Sequence, residues 1–281
     1  MTGPIMVAVD GSAPAAAAVE WAAADAQLRG LALRIVHVCE PRPPGQDGLE
    51  PCEETLDVAR DRALALTRDV EVEAALLTGD VVEALLAEAV SASAESVVLG
   101  SRGLGGFAGM LLGSVGMGVA GHAAGPVVIV RETSVVRHGR VVVGDDGSEQ
   151  AAAAVAYAIE QARARDVTLH VVCAWQSPVY SPYAAAYDTL AQEGYEYLTR
   201  AAAERAAAWR ESAPDVRITD AQVHGHPVNA LIEAGRAADL VVVGSRGRGG
   251  FASALLGSVG HAVLHRLTCP VAVVRPRPGG G

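Results

Sequence analysis

Short apolar runs alternate along the chain with longer alanine-rich stretches, and the whole alternation occurs twice. Runs rich in valine, isoleucine and leucine predict strands near residues 5–9, 33–38, 70–77, 96–100 and 126–130, and again near 140–144, 167–174, 216–223, 239–244 and 270–274. Strands separated by helix-length stretches are the pattern of crossover connections in a parallel sheet, whose members are apolar throughout because both faces are covered. Between the first two strands, residues 13–29 carry the stripe Ala16, Val19, Ala23 and Ala26, one face of a helix packed closely on a sheet. Ser12 stands at its N-cap position, and the equivalent helix over 149–165 follows Ser148 in the same relation. Each Asp-Gly-Ser (10–12 and 146–148) is thus a strand-to-helix turn, with Asp10 and Asp146 at strand ends.

The repeat is plainest after the fourth strands. Residues 100–116, GSRGLGGFAGMLLGSVG, recur at 244–260 as GSRGRGGFASALLGSVG, identical at fourteen of seventeen positions. In a chain of 281 residues this duplication predicts two domains, 1–132 and 139–276, each long enough for its own core. The polar connector 133–139 is too short to hold them far apart. The fifth strands would be exposed apolar edges in isolated domains, and such edges invite pairing. The segments after the second strands, 40–50 and 175–187, are rich in Pro, Gly and Tyr and differ completely between halves, as specificity loops over a shared scaffold do.

Composition narrows the chemistry. The formal charge is −10, and the acidic excess lies in the first half, with 18 acidic against 9 basic residues up to His138 and 14 against 13 beyond it. Such a balance argues against nucleic acid and anionic membrane as partners. The N-terminal stretch has no signal-peptide pattern, and no run approaches the roughly 20 apolar residues of a membrane span, so a cytoplasmic location is expected. The four cysteines, Cys39, Cys52, Cys173 and Cys269, lack metal spacing and read as thiols; Cys39 and Cys173 close the second strands, as small packing residues or a redox pair. There is no lysine, which excludes Walker-type and protein-kinase phosphate grips and pyridoxal Schiff bases.

Ligands of open α/β sheets sit beyond the C-terminal strand ends where strand order reverses, here between the first and fourth strands of each half. The first strands deliver Asp10 and Asp146, carboxylates that can accept from a base or sugar. The fourth deliver Gly100 and Gly244 and the loops behind them. Gly103, Gly105 and Gly106, with Gly247, Gly249 and Gly250, are expected to supply positive φ and close approach to a polyphosphate. Gly113-Ser114-Val115 and Gly257-Ser258-Val259 open the next helices, where free N–H groups, the positive dipole end and a hydroxyl complete an anion cradle without lysine. Arg102, Arg246 and Arg248 can add charge or simply be solvated.

Gly, two residues, Gly, nine residues, Gly-Ser, found twice after a strand and below an Asp-Gly-Ser, resembles the tandem two-domain form of the universal stress protein family along essentially the whole chain. The resemblance implies an α/β fold of two tandem open five-stranded parallel-sheet domains, strand order 3-2-1-4-5 with helices on both faces, packed as a pseudo-dimer through the final strands. It implies ATP as ligand: Asp10 near adenine and ribose, Val38 lining the base, Gly100 at the ribose, and Gly103, Gly113, Ser114 and Val115 around the phosphates. Asp146, Ala174, Gly244, Gly247, Gly257, Ser258 and Val259 match them in the second half. Two departures point to unequal sites: Gly79-Asp80-Val81 lacks the proline of Gly225-His226-Pro227, and Asp145 places a carboxylate where a strand residue is usually apolar.

The histidines offer no catalytic set. His224 and His226 have the wrong spacing and place for an HxGH nucleotidyl-transfer motif, His37 and His170 lie within strands, and His122, His261 and His265 fall in the fourth helices. Trp175, Tyr180, Tyr183 and Tyr187 form either a lid over the second site or a loop cluster. The expected function is nucleotide-dependent sensing or regulation in the stress response through an unidentified protein partner, without turnover; self-association to a homodimer stays open. The alternatives are a slow ATPase or phosphotransfer enzyme, with Mg²⁺ on the phosphates and Asp10 or Asp146 assisting, and a nucleotide-free scaffold.

Overall fold

The structure, a computed structural model, describes residues 3–39, 49–104, 112–132, 136–175, 188–247 and 256–277, without the side chains of 188–193 and 195. The first half runs β1 (Ile5–Val9), α1 (Ala13–Arg29), β2 (Leu33–Cys39), α2 (Glu50–Leu66), β3 (Val72–Thr78), α3 (Val81–Ser91), β4 (Ser96–Gly100), α4 (Ser114–His122) and β5 (Gly125–Val130). The second repeats it: β6 (Arg140–Gly144), α5 (Glu149–Arg165), β7 (Thr168–Trp175), α6 (Asp188–Ser212), β8 (Ile218–His224), α7 (Pro227–Gly235), β9 (Leu240–Gly244), α8 (Ser258–Arg266) and β10 (Val271–Arg275).

All strands join one sheet, in the order β3-β2-β1-β4-β5-β10-β9-β6-β7-β8. Each half has the expected 3-2-1-4-5 order, and within a half every pairing is parallel. The halves meet where β5 pairs antiparallel with β10, Val127 opposite Val273 and Ile129 opposite Val271. The two edges that would be exposed in separate domains therefore cover each other, and Val127, Ile129, Val271 and Val273 are buried.

Strand alternation divides the core in two. Ile5, Val7, Leu33 and Ile35 face α1 and α2, while Met6, Val36, Val97 and Leu99 face the layer of α3 and α4; the second half repeats the division with α5 and α6 opposite α7 and α8. Helices α1 and α5 have the limits expected. Ser12 Oγ accepts from Ala15 N at 3.3 Å and Ser148 Oγ from Ala151 N at 3.1 Å, and each helix ends on a left-handed residue, Gly30 (φ 64°) or Asp166 (φ 53°). Small residues on the inner face of α1 (Ala15, Ala18, Ala22 and Ala26) let it lie close to the sheet. Strand β3 starts two residues later than expected because Asp69 takes a left-handed turn (φ 61°).

Polar contacts reinforce the junction where α1 meets α5. Asp25, fully buried, lies 2.8 Å from Arg165 Nη2 and 3.7 Å from Arg29 Nη1, and accepts from Gln161 Nε2 at 3.3 Å. Arg29 also reaches Glu95 and Glu160, each at 3.2 Å. Burial pulls the Arg29 pKa down, but Asp25 and the neighbouring anions outweigh it and keep the net shift upward.

Two of the four cysteines depart from their reading as thiols. Cys39 and Cys52 form a disulfide that ties the end of β2 to the first turn of α2, and Cys173 and Cys269 are the free ones. Cys39 and Cys173 are not equivalent either. The pairings Ile5 with Leu33 and Val141 with Leu169 set the halves 136 residues apart in these strands, which matches Cys39 to Trp175 and Cys173 to His37.

Candidate functional site

Strands β1 and β4, and β6 and β9, deliver the expected residues to the C-terminal edge of the sheet. In the first half Asp10 Oδ1 accepts from Ser12 N at 3.0 Å and Oδ2 from Leu104 N at 2.9 Å. The carboxylate expected near base and sugar thus also laces the strand end to the loop after β4. Ser12 adds a second stitch, donating from Oγ to Arg102 O at 3.2 Å. In the second half Asp146 Oδ1 accepts from Ser148 N at 3.0 Å.

The glycines have reasons of two kinds. A methyl group on Gly103 would stand 2.4 Å from Asp10 Oδ2, and one on Gly247 2.4 Å from Asp146 Oδ2, so these positions are bare to admit the carboxylate. The positive φ expected there is not found; among the described glycines it belongs to others, including Gly11 and Gly147 of the Asp-Gly-Ser turns. Gly100, expected at a ribose, also lets α1 approach, since an added Cβ would lie 2.7 Å from Ala15 N; Gly244 faces Gln150 in the same way. Gly105, Gly106, Gly249, Gly250, Arg248, Tyr180, Tyr183 and Tyr187 lie outside the described residues.

Behind these loops α4 and α8 start on Gly113 and Gly257. Gly113 N donates to Ser101 O and Gly257 N to Ser245 O, both at 2.8 Å, which fixes the first turns against the loops. Neither helix has a side-chain cap or an acidic residue in its first turn. The contrast with their neighbours is informative. α1 and α5 are capped by serines, α3 by Asp80 and α7 by His226, and α2 has Glu50 and Glu53 in its first turn. Among the helices whose N-termini are described, α4 and α8 alone begin at the strand-end crevice with neither a side-chain cap nor an acidic first turn.

In the second half a cavity of about 340 Å³ opens at this place, within the size range of small-molecule sites. Asp146, Ala174, Gly244, Gly247, Gly257, Ser258 and Val259 line it together, as expected, joined by Val172, Pro227, Leu231, Val243 and Arg246. The lining brings apolar side chains together with the α8 N-terminus, Arg246 and the carboxylates of Asp145 and Asp146. Val38, the counterpart of Ala174, is buried at the end of β2, and Ser114 and Val115 open α4 as Ser258 and Val259 open α8.

Arginines collect around both cradles. Arg131 follows β5 and Arg275 ends β10; burial, and then the cations Arg102 and Arg246 respectively, lower their pKa values. An anion on the loop would relieve that repulsion. Each also crosses the junction: Arg131 Nη2 donates to Leu264 O near the end of α8, and Arg275 Nη2 to Gly121 O near the end of α4. The two cradle helices are therefore pinned at their C-terminal ends by the opposite half.

Around the sites the structure adds partners that the motifs did not show. Asp145, noted as a departure, is buried and pairs with Arg205 Nε of α6 at 2.8 Å, while its Oδ1 accepts from Gly147 N at 2.8 Å. Cys173 lies 3.6 Å from the same carboxylate, and burial followed by Asp145 pushes its pKa up to about 12. Nothing in the alanine-rich α6 singled out Arg205. Lacking the proline, α3 still has its cap, for Asp80 accepts from Glu83 N at 3.0 Å, as its counterpart His226 accepts through Nδ1 from Val228 N at 3.2 Å in α7. His37 and His170 are partnered in their strands, by Val9 O at 2.7 Å and Thr219 Oγ1 at 2.9 Å. Trp175 packs against the core, its lid companions being undescribed.

Comparison with known proteins is consistent across sequence and structure. The model of the universal stress protein family matches residues 1–131 and again 138–275. A universal stress protein of Mycobacterium tuberculosis is 37% identical over 293 residues, covering 96% of each chain. One of Mycolicibacterium smegmatis is 35% identical over 291 residues, covering 97% of each. The crystal structure of a universal stress protein from Archaeoglobus fulgidus aligns with 98% of this chain and 97% of its own at TM-score 0.69 and 23% identity, which speaks to the fold. A structure of a putative universal stress protein from Pseudomonas aeruginosa aligns with 98% and 94% at TM-score 0.71 and 17% identity.

Proposed function

The chain belongs to the universal stress protein family, in tandem form, and from that premise we propose that it binds ATP in both halves and acts in the cytoplasm as a nucleotide-dependent regulator of the stress response. The reading rests above all on α4 and α8, whose N-termini have neither a side-chain cap nor an acidic first turn at the C-terminal edge of the sheet. A triphosphate supplies the missing acceptors, and the cavity beside α8 offers Ala174, Val172 and Leu231 to the base. Among the described residues no three His, Cys, Asp or Glu side chains gather as a metal site, so Mg²⁺ would arrive on the phosphates. Binding rather than turnover is the proposed activity. Asp10 already accepts from two main-chain N–H groups, which leaves it poorly placed as a general base. An unidentified protein would read the liganded state.

Denaturing freshly purified protein and weighing what it releases should yield adenine nucleotide. Gly113→Ala combined with Gly257→Ala should lower ATP affinity more than tenfold by calorimetry, because a methyl group intrudes where phosphates approach. At Gly113 the added carbon would meet nothing nearer than 3.8 Å, so its cost to the fold is small; at Gly257 it would lie 3.2 Å from Arg246 Cα. Unaltered affinity in the folded double variant would remove the assignment, and phosphate release faster than about 1 s⁻¹, within ordinary enzyme turnover, would replace it with an ATPase.

A further inference from the structure

The disulfide occupies a place from which it can act on the first cradle. Cys39 ends β2 directly after Val38, and Cys52 lies in the first turn of α2, with Cα atoms 6.0 Å apart. One turn along α2, Thr55 covers Gly11, where an added Cβ would lie 3.7 Å from Thr55 Cγ2. Gly11 follows Asp10, whose carboxylate holds the N–H groups of Ser12 and Leu104. A path thus runs from the sulfurs along α2, past Thr55 beside Gly11, to the Asp-Gly-Ser turn and the loop.

Helix α2 packs on α1, β2 and β3 mostly through small side chains. Its buried residues are Cys52, Leu56, Ala59 and Ala63, of which only Leu56 is large. The second half has no such bond: α6 is held over the matching turn by Arg205 and Asp145, and Cys173 and Cys269 are free thiols. Disulfides of cytoplasmic proteins, when present, are usually redox-sensing rather than permanent.

We propose that the Cys39–Cys52 bond is a reversible redox site that sets the affinity of the first nucleotide site alone, tight when closed and weak when open, an inference that rests on the nucleotide-binding reading above. The reductant is a dithiol. Its thiolate attacks one sulfur of the bond and expels the other; its second thiol then resolves the mixed disulfide. Cys39 and Cys52 leave as two thiols, having gained two electrons and two protons, and the reductant leaves as a disulfide. A disulfide oxidant runs the exchange backwards. Both sulfur-bearing residues are buried, so attack requires α2 to lift, and a nucleotide that holds the turn beneath α2 resists it.

The test uses the full chain with the second cradle silenced by Gly257→Ala. Thiol counting after denaturation should give two in the oxidised protein, Cys173 and Cys269, and four after dithiol treatment. ATP affinity should then fall by about 5- to 150-fold on reduction, the ordinary span of coupling between sites. Cys52→Ser should match the reduced form even in oxidant. Because coupling is reciprocal, saturating ATP should lower the midpoint potential of wild-type protein by about 30 mV for each tenfold difference in affinity, a readout that needs no cysteine variant. Equal affinity in both verified forms, or four thiols in the air-oxidised protein, would overturn the redox site while leaving nucleotide binding intact. Absence of ATP binding to wild-type protein in either form would overturn both.

Discussion

At the place where the first half has Val9 against β2, the second has Asp145 against Cys173, and the helix above answers in kind. In the first half the outer helix α2 is bonded to β2 through sulfur; in the second, α6 reaches down with Arg205 to the buried carboxylate. Both arrangements set the outer helix beside the glycine of an Asp-Gly-Ser turn, Thr55 near Gly11 and the Arg205 guanidinium near Gly147. The cradle itself is main chain and is therefore nearly indifferent to which support is used, so duplicated sites can keep one ligand chemistry while their supports answer to different conditions.

The ion pair gives the largest expected effect. Arg205→Met strands a buried carboxylate, and since Arg205 is itself one third exposed, the loss should sit near the low end of the 3–5 kcal/mol seen for broken buried pairs, about 3 kcal/mol by urea denaturation. Asp145→Val together with Arg205→Met imitates the first half and should recover to within about 1 kcal/mol of wild type. If the single variant were as stable as the double, Arg205 would not be the support described. Reduction of Cys39–Cys52, a bond across a sequence separation of 13, should cost a comparable amount, about 3 kcal/mol from loop-closure entropy. Amide exchange should then quicken in α2 and stay unchanged in α6. Equal quickening in both helices would mean that the bond stabilises the chain as a whole.

Those two supports are also what the sequence concealed. The inner strands were legible because they are runs rich in Val, Ile and Leu covered on both sides, and α1 and α5 because serine caps open them. The loops were legible because they occur twice. The disulfide was not, since Cys39 and Cys52 flank a segment without periodicity, and Cys39 looked like the twin of Cys173 until strand register paired it with Trp175. Nor could a sequence distinguish a glycine bare for close approach from one bent to positive φ. Gly103 and Gly247 are of the first kind, Gly11 and Gly147 of the second. Arg205 and Asp25 are charged residues on helices, and only the fold shows that each meets a buried partner.

The serine caps sharpen the comparison at smaller scale. Ser12 and Ser148 each accept from the third residue of the helix behind them, but Ser12 also donates to Arg102 O. Ser148→Ala should cost about 1 kcal/mol, the ordinary worth of an N-cap, and Ser12→Ala about 1.5 to 2 kcal/mol, because a second hydrogen bond goes with it. The Ser12 change should also loosen the first cradle. Equal costs in thermal unfolding would show that the hydroxyl's bond to the loop adds nothing.

The smallest expected difference is in the response to acid. Helix α8 carries His261 and His265 with ring centroids 4.4 Å apart, whereas α4 has Met117 and Gly121 at the matching positions. Burial, and then the neighbouring His261 and Arg131, hold the His265 pKa below the usual imidazole value. The unfolded chain therefore binds this proton more readily than the folded one, so stability rises with pH wherever His265 titrates. The contribution is whole above the unfolded pKa of about 6.5 and is lost as pH falls below it towards the depressed folded value. His170, depressed by burial and by Arg140, adds to the same trend in β7. Between pH 7.5 and 5.5, amide protection factors, which allow for the slower intrinsic exchange in acid, should fall in α8 more than in α4, and His265→Gln should flatten the fall in melting temperature over that range. An unchanged slope in His265→Gln would mean that acid reaches the second half by another group, and the asymmetry between the cradle helices would then have no electrostatic part.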